Sequence, residues 1–164
     1  MPTNIYWIHE FENSAKIGIM ARPRGDDWLE DEINHLKNNE VGVLVSLLER
    51  EEIYDLKLDN EEQLCKTKNI TYINFPIGDR DIPKQNSDTD KLIDILTKKI
   101  DEGHSIVVHC RMGIGRSSII AASVLLKYKL KAKDIIENIS SIRGLKVPDT
   151  DKQLSWLISR EKEQ

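Results

Sequence analysis

His109-Cys110-Arg111-Met112-Gly113-Ile114-Gly115-Arg116-Ser117 is the stretch whose reading decides the fold. Before it stands Ser105-Ile106-Val107-Val108, a short β-branched run that predicts a fully buried strand. After it stands Ser118-Ile119-Ile120-Ala121-Ala122-Ser123-Val124-Leu125-Leu126, apolar and Ala-containing, which predicts a buried helix. A cysteine therefore closes a core strand, and a glycine-containing loop turns directly into a helix. Successive backbone N–H groups in such a loop can point inward, and the helix N-terminus adds positive potential. That arrangement holds an oxyanion and favours the thiolate form of a cysteine at its base. Gly113 and Gly115 let backbone approach the anion, and Arg116 offers a planar fork of donors to a phosphate. Arg111, Met112 and Ile114 supply the remaining side chains of this substrate-binding loop. A buried structural cysteine beside a capped helix is the plain alternative, but it explains neither the glycines nor the arginine.

Working outward, the rest of the chain supplies a scaffold. Val41–Leu47 is a continuous apolar run, as expected of a core parallel strand, and Thr71–Ile77 is a further strand stopped by Pro76. Asn4–Phe11 and Lys16–Met20 predict an N-terminal hairpin. Helical spacing of apolar residues predicts helices from Asp26 or Asp27 through Lys37, over 89–101, over 131–143, and from Thr150 onward. The acidic segment Glu49–Glu62 predicts an exposed turn leading into a short helix through Leu64 and Cys65. Strands alternating with helices imply an α/β fold, with a mainly parallel central sheet flanked by helices on both faces. Active sites in such sheets lie beyond the carboxyl ends of the strands, where Cys110 and the loop at Asp79 both fall.

A chain of 164 residues fits one domain over 1–164 with one sizeable core. Its net charge of −4 argues against general binding of nucleic acid or anionic membrane, so any anion site must be local. Two cysteines 45 positions apart, Cys65 and Cys110, make a disulfide framework an unsuitable reading and a reducing, cytoplasmic setting the expected one. Cys65 is read as packing, with redox partnership to Cys110 as the alternative. No basic leader precedes a long apolar stretch, and nowhere do 18 apolar residues run together. Arg22 and Arg24 sit in a Pro/Gly-punctuated loop and read as solvated charge, with substrate docking as the alternative. The four histidines are scattered, and His104 and His109 lack the spacing and carboxylate company of a metal site.

The central stretch resembles the Cys-x5-Arg signature of the cysteine-dependent protein tyrosine and dual-specificity phosphatases, most closely the small dual-specificity type. The resemblance implies a phosphatase acting on phosphorylated protein, through a cysteinyl-phosphate, with no cofactor and no metal, as a monomer. It implies Cys110 as nucleophile, Arg116 and the loop amides as transition-state clamp, and Ser117 as donor to the departing sulfur. His109 precedes the nucleophile and is expected to orient the loop. Phe75-Pro76-Ile77-Gly78-Asp79-Arg80-Asp81-Ile82-Pro83 is similar to the acid loop of that type, which makes Asp79 the general acid and Asp81 the runner-up. Each aspartate could equally serve only its turn. Arg143-Gly144 and Val147-Pro148-Asp149-Thr150-Asp151-Lys152-Gln153 resemble the late Arg … Thr-x-x-Gln element, where Gln153 would position the hydrolytic water; an exposed helix residue is the alternative. The extra loop lysines of phosphoinositide phosphatases are absent here, as is the Tyr-bearing motif of the large tyrosine phosphatases. A phosphoinositide, a nucleotide, an RNA 5′-phosphate, sulfur transfer, arsenate reduction and silent phosphate binding remain as alternatives.

Overall fold

The computed structural model describes all residues, Met1–Gln164. Five strands, β1 (Tyr6–Glu10), β2 (Lys16–Met20), β3 (Val41–Ser46), β4 (Thr71–Asn74) and β5 (Ser105–His109), form one sheet in the order β1-β2-β5-β3-β4. The β1–β2 hairpin is antiparallel, while β2–β5, β5–β3 and β3–β4 are parallel. Seven helices complete the chain: α1 (Leu29–Asn38), α2 (Arg50–Asp55), α3 (Glu61–Thr67), α4 (Asn86–Asp101), α5 (Arg116–Leu126), α6 (Ala132–Arg143) and α7 (Asp151–Lys162). This is the α/β arrangement that the alternation of patterns predicts.

Side chains alternate across a strand, and here both faces are covered. Val43, Val45, Ile106 and Val108 join a 29-residue core beneath α4–α7. Leu44 and Val107 join an 11-residue core with residues of α1 and α3. Cys65 belongs to the second cluster and Cys110 to the first, so the sheet separates them. Burial, followed by Glu61 and Glu62, pushes the Cys65 thiol up to about 12. Cys65 is a packing residue and both cysteines are free thiols.

Local sequence explains most element ends. Every residue of α5 is buried, as its all-round apolar sequence requires. Helix α6 stops at Gly144, whose left-handed φ of 71° lets the Leu145 N–H return to the Ser140 carbonyl. Helix α7 opens with a reciprocal capping box between Thr150 and Gln153. Strand β4 is shorter than expected. The Asn74 side chain donates to the Ser46 and Leu48 carbonyls, and Pro76 has no N–H to continue the ladder. The acidic segment 49–62 also departs from expectation: it holds a helix of its own, α2, and its Glu61 is completely buried. No helix is long and apolar enough to cross a membrane.

Candidate active site

Cys110 lies just past the end of β5 and is 2% exposed. The six residues from Cys110 to Gly115 form the loop into α5, which starts at Arg116. The peptide orientation in this loop follows from what its carbonyls do. Cys110 O accepts from His109 Nδ1 at 3.2 Å, and Arg111 O accepts from the Arg22 N–H at 3.1 Å. Met112 O accepts from Arg143 Nη2 at 3.2 Å, and Gly113 O from Arg143 Nε at 3.0 Å. A trans peptide sets its N–H opposite its C=O. Four successive carbonyls held on the outside therefore turn the N–H groups of Arg111, Met112, Gly113 and Ile114 inward, and no protein group accepts from them. Arg143 is itself fixed by stacking its guanidinium 4.2 Å from the Tyr6 ring centroid. Gly113 meets two demands at once. Its φ is 71°, and a Cβ there would come within 2.7 Å of backbone at Met20 and Ala21.

Ser117 Oγ is 3.2 Å from Cys110 Sγ; it accepts from the neutral thiol and donates to a thiolate. Ser117 does not cap the helix. Gly115 occupies that position and Ser117 lies inside the first turn, its hydroxyl committed to the sulfur.

Arg116 is 2% exposed and its guanidinium is held at several points. Nη1 donates to Glu52 Oε1 at 2.7 Å and to Ile77 O at 2.9 Å. Nη2 donates to Glu52 Oε2 at 2.9 Å and to Asp79 Oδ1 at 3.2 Å. Glu52 is thus the bidentate orienting partner of Arg116. Burial pushes the Glu52 carboxyl up, but the hydrogen bonds from Arg116 and Glu49 and the charges of Arg116 and Arg111 outweigh it, leaving it below its ordinary value.

Behind the loop, His109 and Glu61 form a pair with no solvent exposure, His109 Nε2 to Glu61 Oε2 at 2.8 Å. Burial opposes charge on His109, yet the Glu61 carboxylate, with the Cys110 carbonyl on the other nitrogen, raises its proton affinity overall. Nδ1 needs a proton to donate to that carbonyl, so proton gain at Nε2 yields the imidazolium facing Glu61. His109 points away from the cleft and braces the loop from outside. Removing one partner of such a pair strands the other, at about 3–5 kcal/mol. Glu61→Ala should therefore lower unfolding free energy by about that amount in urea titrations. Because the folded affinity is raised, the pair's contribution is complete below 6.5, the ordinary value, and is lost as pH climbs through the raised one. The wild-type urea midpoint should fall on that alkaline side, and Glu61→Ala should lack the decline.

Asp79, Arg80, Cys110, Met112, Ile114, Gly115, Arg116, Asp149 and Gln153 line one cleft of about 250 Å³. A groove of about 530 Å³ between the β1 end and Tyr128 is larger, but it holds neither cysteine nor an anion cradle. Chemistry, not size, picks the site. The two aspartates of the acid loop divide here. Asp79 reaches Arg116, whereas Asp81 accepts from Lys152 Nζ at 2.8 Å and from the Ile82 N–H at 2.8 Å. Those hydrogen bonds, Lys152 first, hold the Asp81 carboxyl below its ordinary value, which suits an anion and not a proton donor. Gln153 is fully buried, not exposed. Its Oε1 accepts from the N–H groups of Asp149 and Thr150, and its Nε2 donates to the Asp81 carbonyl at 3.0 Å. One N–H of its amide stays uncommitted.

Glu52 and Glu61 are the residues that sequence reasoning missed. A signal existed: a buried arginine and a buried histidine each need a carboxylate, and the acidic run begins where β3 ends, at the same edge of the sheet as Cys110.

The arrangement can bind a phosphate dianion, attack it with sulfur and protonate a leaving oxygen. Comparison with known proteins agrees with that chemistry. Kinase associated phosphatase, solved with its catalytic-site cysteine replaced by serine, superposes with a TM-score of 0.88 at 21% identity, over 99% of this chain and 96% of the other. PTPMT1 in complex with PI(5)P gives 0.76 at 19% identity, over 96% of each chain. Human DUSP28 gives 0.68 at 12% identity, over 99% and 97%. At these identities the likeness establishes the fold. No curated protein sequence matches the chain. The family model described as "Tc-R-P: Polymorphic toxin system, DSP-PTPase phosphatase" matches residues 18–129, well over half of the sequence, and the chain belongs to that family of phosphatases.

Proposed function

We propose that this phosphatase, one domain over residues 1–164, hydrolyses phosphotyrosine in proteins, with phosphoserine and phosphothreonine as further substrates, as a cytoplasmic monomer that needs no cofactor, nucleic acid or membrane. The observation that carries the mechanism is the meeting of Cys110, the inward amides, Arg116 and Asp79 in one cleft. The Cys110 thiolate attacks phosphorus, forming the S–P bond as the P–O bond to the leaving group breaks. Asp79 gives its proton to the departing oxygen. Arg116 and the amides of the loop neutralise the equatorial oxygens. In the second step water attacks phosphorus and passes a proton to the Asp79 carboxylate. The free N–H of Gln153 holds that water for attack, and as the new P–O bond forms the S–P bond breaks, the departing thiolate receiving a hydrogen bond from Ser117.

The rim supports an aromatic leaving group. Met112 is 61% exposed and Ile114 half-buried, two apolar side chains set beside the cradle where a tyrosine ring can pack. Arg111 is the one charged side chain of the variable loop positions. Initial rates on phosphotyrosine, phosphoserine and phosphothreonine peptides, a phosphoinositide, a nucleotide and an RNA 5′-phosphate test the reading. The highest kcat/KM is expected on phosphotyrosine peptide. A clear preference for any of the last three would overturn it.

A further inference from the structure

The segment Gly78–Pro83 carries the general acid, yet its backbone is tied to the rest of the fold by no main-chain hydrogen bond. Its one such bond is internal, from the Asp81 N–H to the Gly78 carbonyl at 3.0 Å. Ile77 and Ile82 pack its two ends against the main core. Between them, side chains do the holding. Arg116 reaches Asp79, Arg80 Nη1 donates to Asp149 Oδ2 at 2.9 Å, Lys152 Nζ donates to Asp81 Oδ1, and Gln153 Nε2 donates to the Asp81 carbonyl. Three of these four ties come from the turn that opens α7. The same turn is pressed onto the phosphate loop: a Cβ on Gly115 would come within 2.9 Å of the Gln153 amide and of Asp149 Cβ.

The fourth tie, between Arg116 and Asp79, is the one that catalysis dissolves. When a phosphate dianion enters, Arg116 turns its charge to the phosphate, and an acid ready to act carries a proton, so the ion pair is gone. What then keeps Asp79 over the leaving oxygen must come from elsewhere. We propose that the first turn of α7 is a bracket that holds the acid loop closed over the phosphate loop, with Lys152 and Arg80 as positioning residues of the acid step. Lys152 does not line the cleft, and it acts through Asp81. This gives a role to the paired aspartate two residues from the acid: Asp81 is the anchor and Asp79 the reagent. Both outer ion pairs are exposed, Lys152–Asp81 at 62% and 49% and Arg80–Asp149 at 61% and 36%, so salt weakens the bracket.

The inference rests on Asp79 being the acid, and the test separates the two ideas. Only a leaving group that needs a proton feels a misplaced acid. The reading is therefore kcat/KM over aryl phosphates from nitrophenyl to phenyl and phosphotyrosine peptide, for wild type, Lys152→Ala, Lys152→Arg, Arg80→Ala/Lys152→Ala and Asp79→Asn. Lys152→Ala should lose about two- to fivefold on phosphotyrosine peptide, and the double variant about tenfold, while Lys152→Ala loses under about twofold on the nitrophenyl ester. Lys152→Arg should recover most of the loss. A loss equal across the series, or none on phosphotyrosine peptide, overturns the bracket while Asp79→Asn still steepens the dependence on leaving group. If Asp79→Asn fails to steepen it, the acid assignment falls, and the bracket with it.

Discussion

Cys110→Ser should abolish turnover of every phosphate ester, lowering kcat by at least about 10^4-fold, while phosphate and phosphopeptide still bind. The serine hydroxyl is a far weaker nucleophile at neutral pH, and Asp79, which shares the cleft, enters the first step as the acid and so is not free to deprotonate it. His109 is turned the other way, with both ring nitrogens committed to Cys110 O and Glu61. The cradle does not depend on the sulfur: the carbonyls of 110–113 are held by His109, Arg22 and Arg143. Binding by isothermal titration should therefore survive when turnover does not. Retained turnover in Cys110→Ser would remove the nucleophile from the mechanism.

Asp79→Asn should cost about 10²- to 10³-fold in kcat/KM on phosphotyrosine peptide, the range that a general acid supplies. An amide keeps the shape and a contact to Arg116 but has no acidic proton for the leaving oxygen. Asp81→Asn should be much milder, because it loosens the tie to Lys152 without removing a reagent. If Asp81→Asn were the more damaging, the geometry of the cleft would be misread.

The parts of the site that were legible are those whose meaning is local. Strand, cysteine, glycine loop and helix follow one another within a few turns of chain, and each step has a physical signature in the residues themselves. Asp79 was legible as a candidate acid only through the resemblance of the Phe75-to-Pro83 loop to the acid loop of small dual-specificity phosphatases, since the residues alone favour neither it nor Asp81. Glu52 and Glu61 were not. They meet their partners across separations of 64 and 48 residues, and from the sequence an acidic run looks like a solvated helix face. Burial turns such carboxylates from solvent-facing charges into the counterions of Arg116 and His109. The depth of Gln153 was hidden likewise, since only packing against Gly115 shows that this helix start faces inward. Cys65 illustrates the converse. Two cysteines in one chain invite a redox pairing, and only the sheet between their clusters removes it.

The central claim is that phosphate leaves its substrate on the sulfur of Cys110. Rapid acid quench during turnover of a phosphotyrosine peptide, followed by mass analysis of proteolytic fragments, tests it most directly. One phosphoryl group should appear on the fragment carrying Cys110 and vanish as substrate is exhausted. Turnover with no phosphorylated enzyme fragment, or with the phosphoryl group on another residue, would contradict the account.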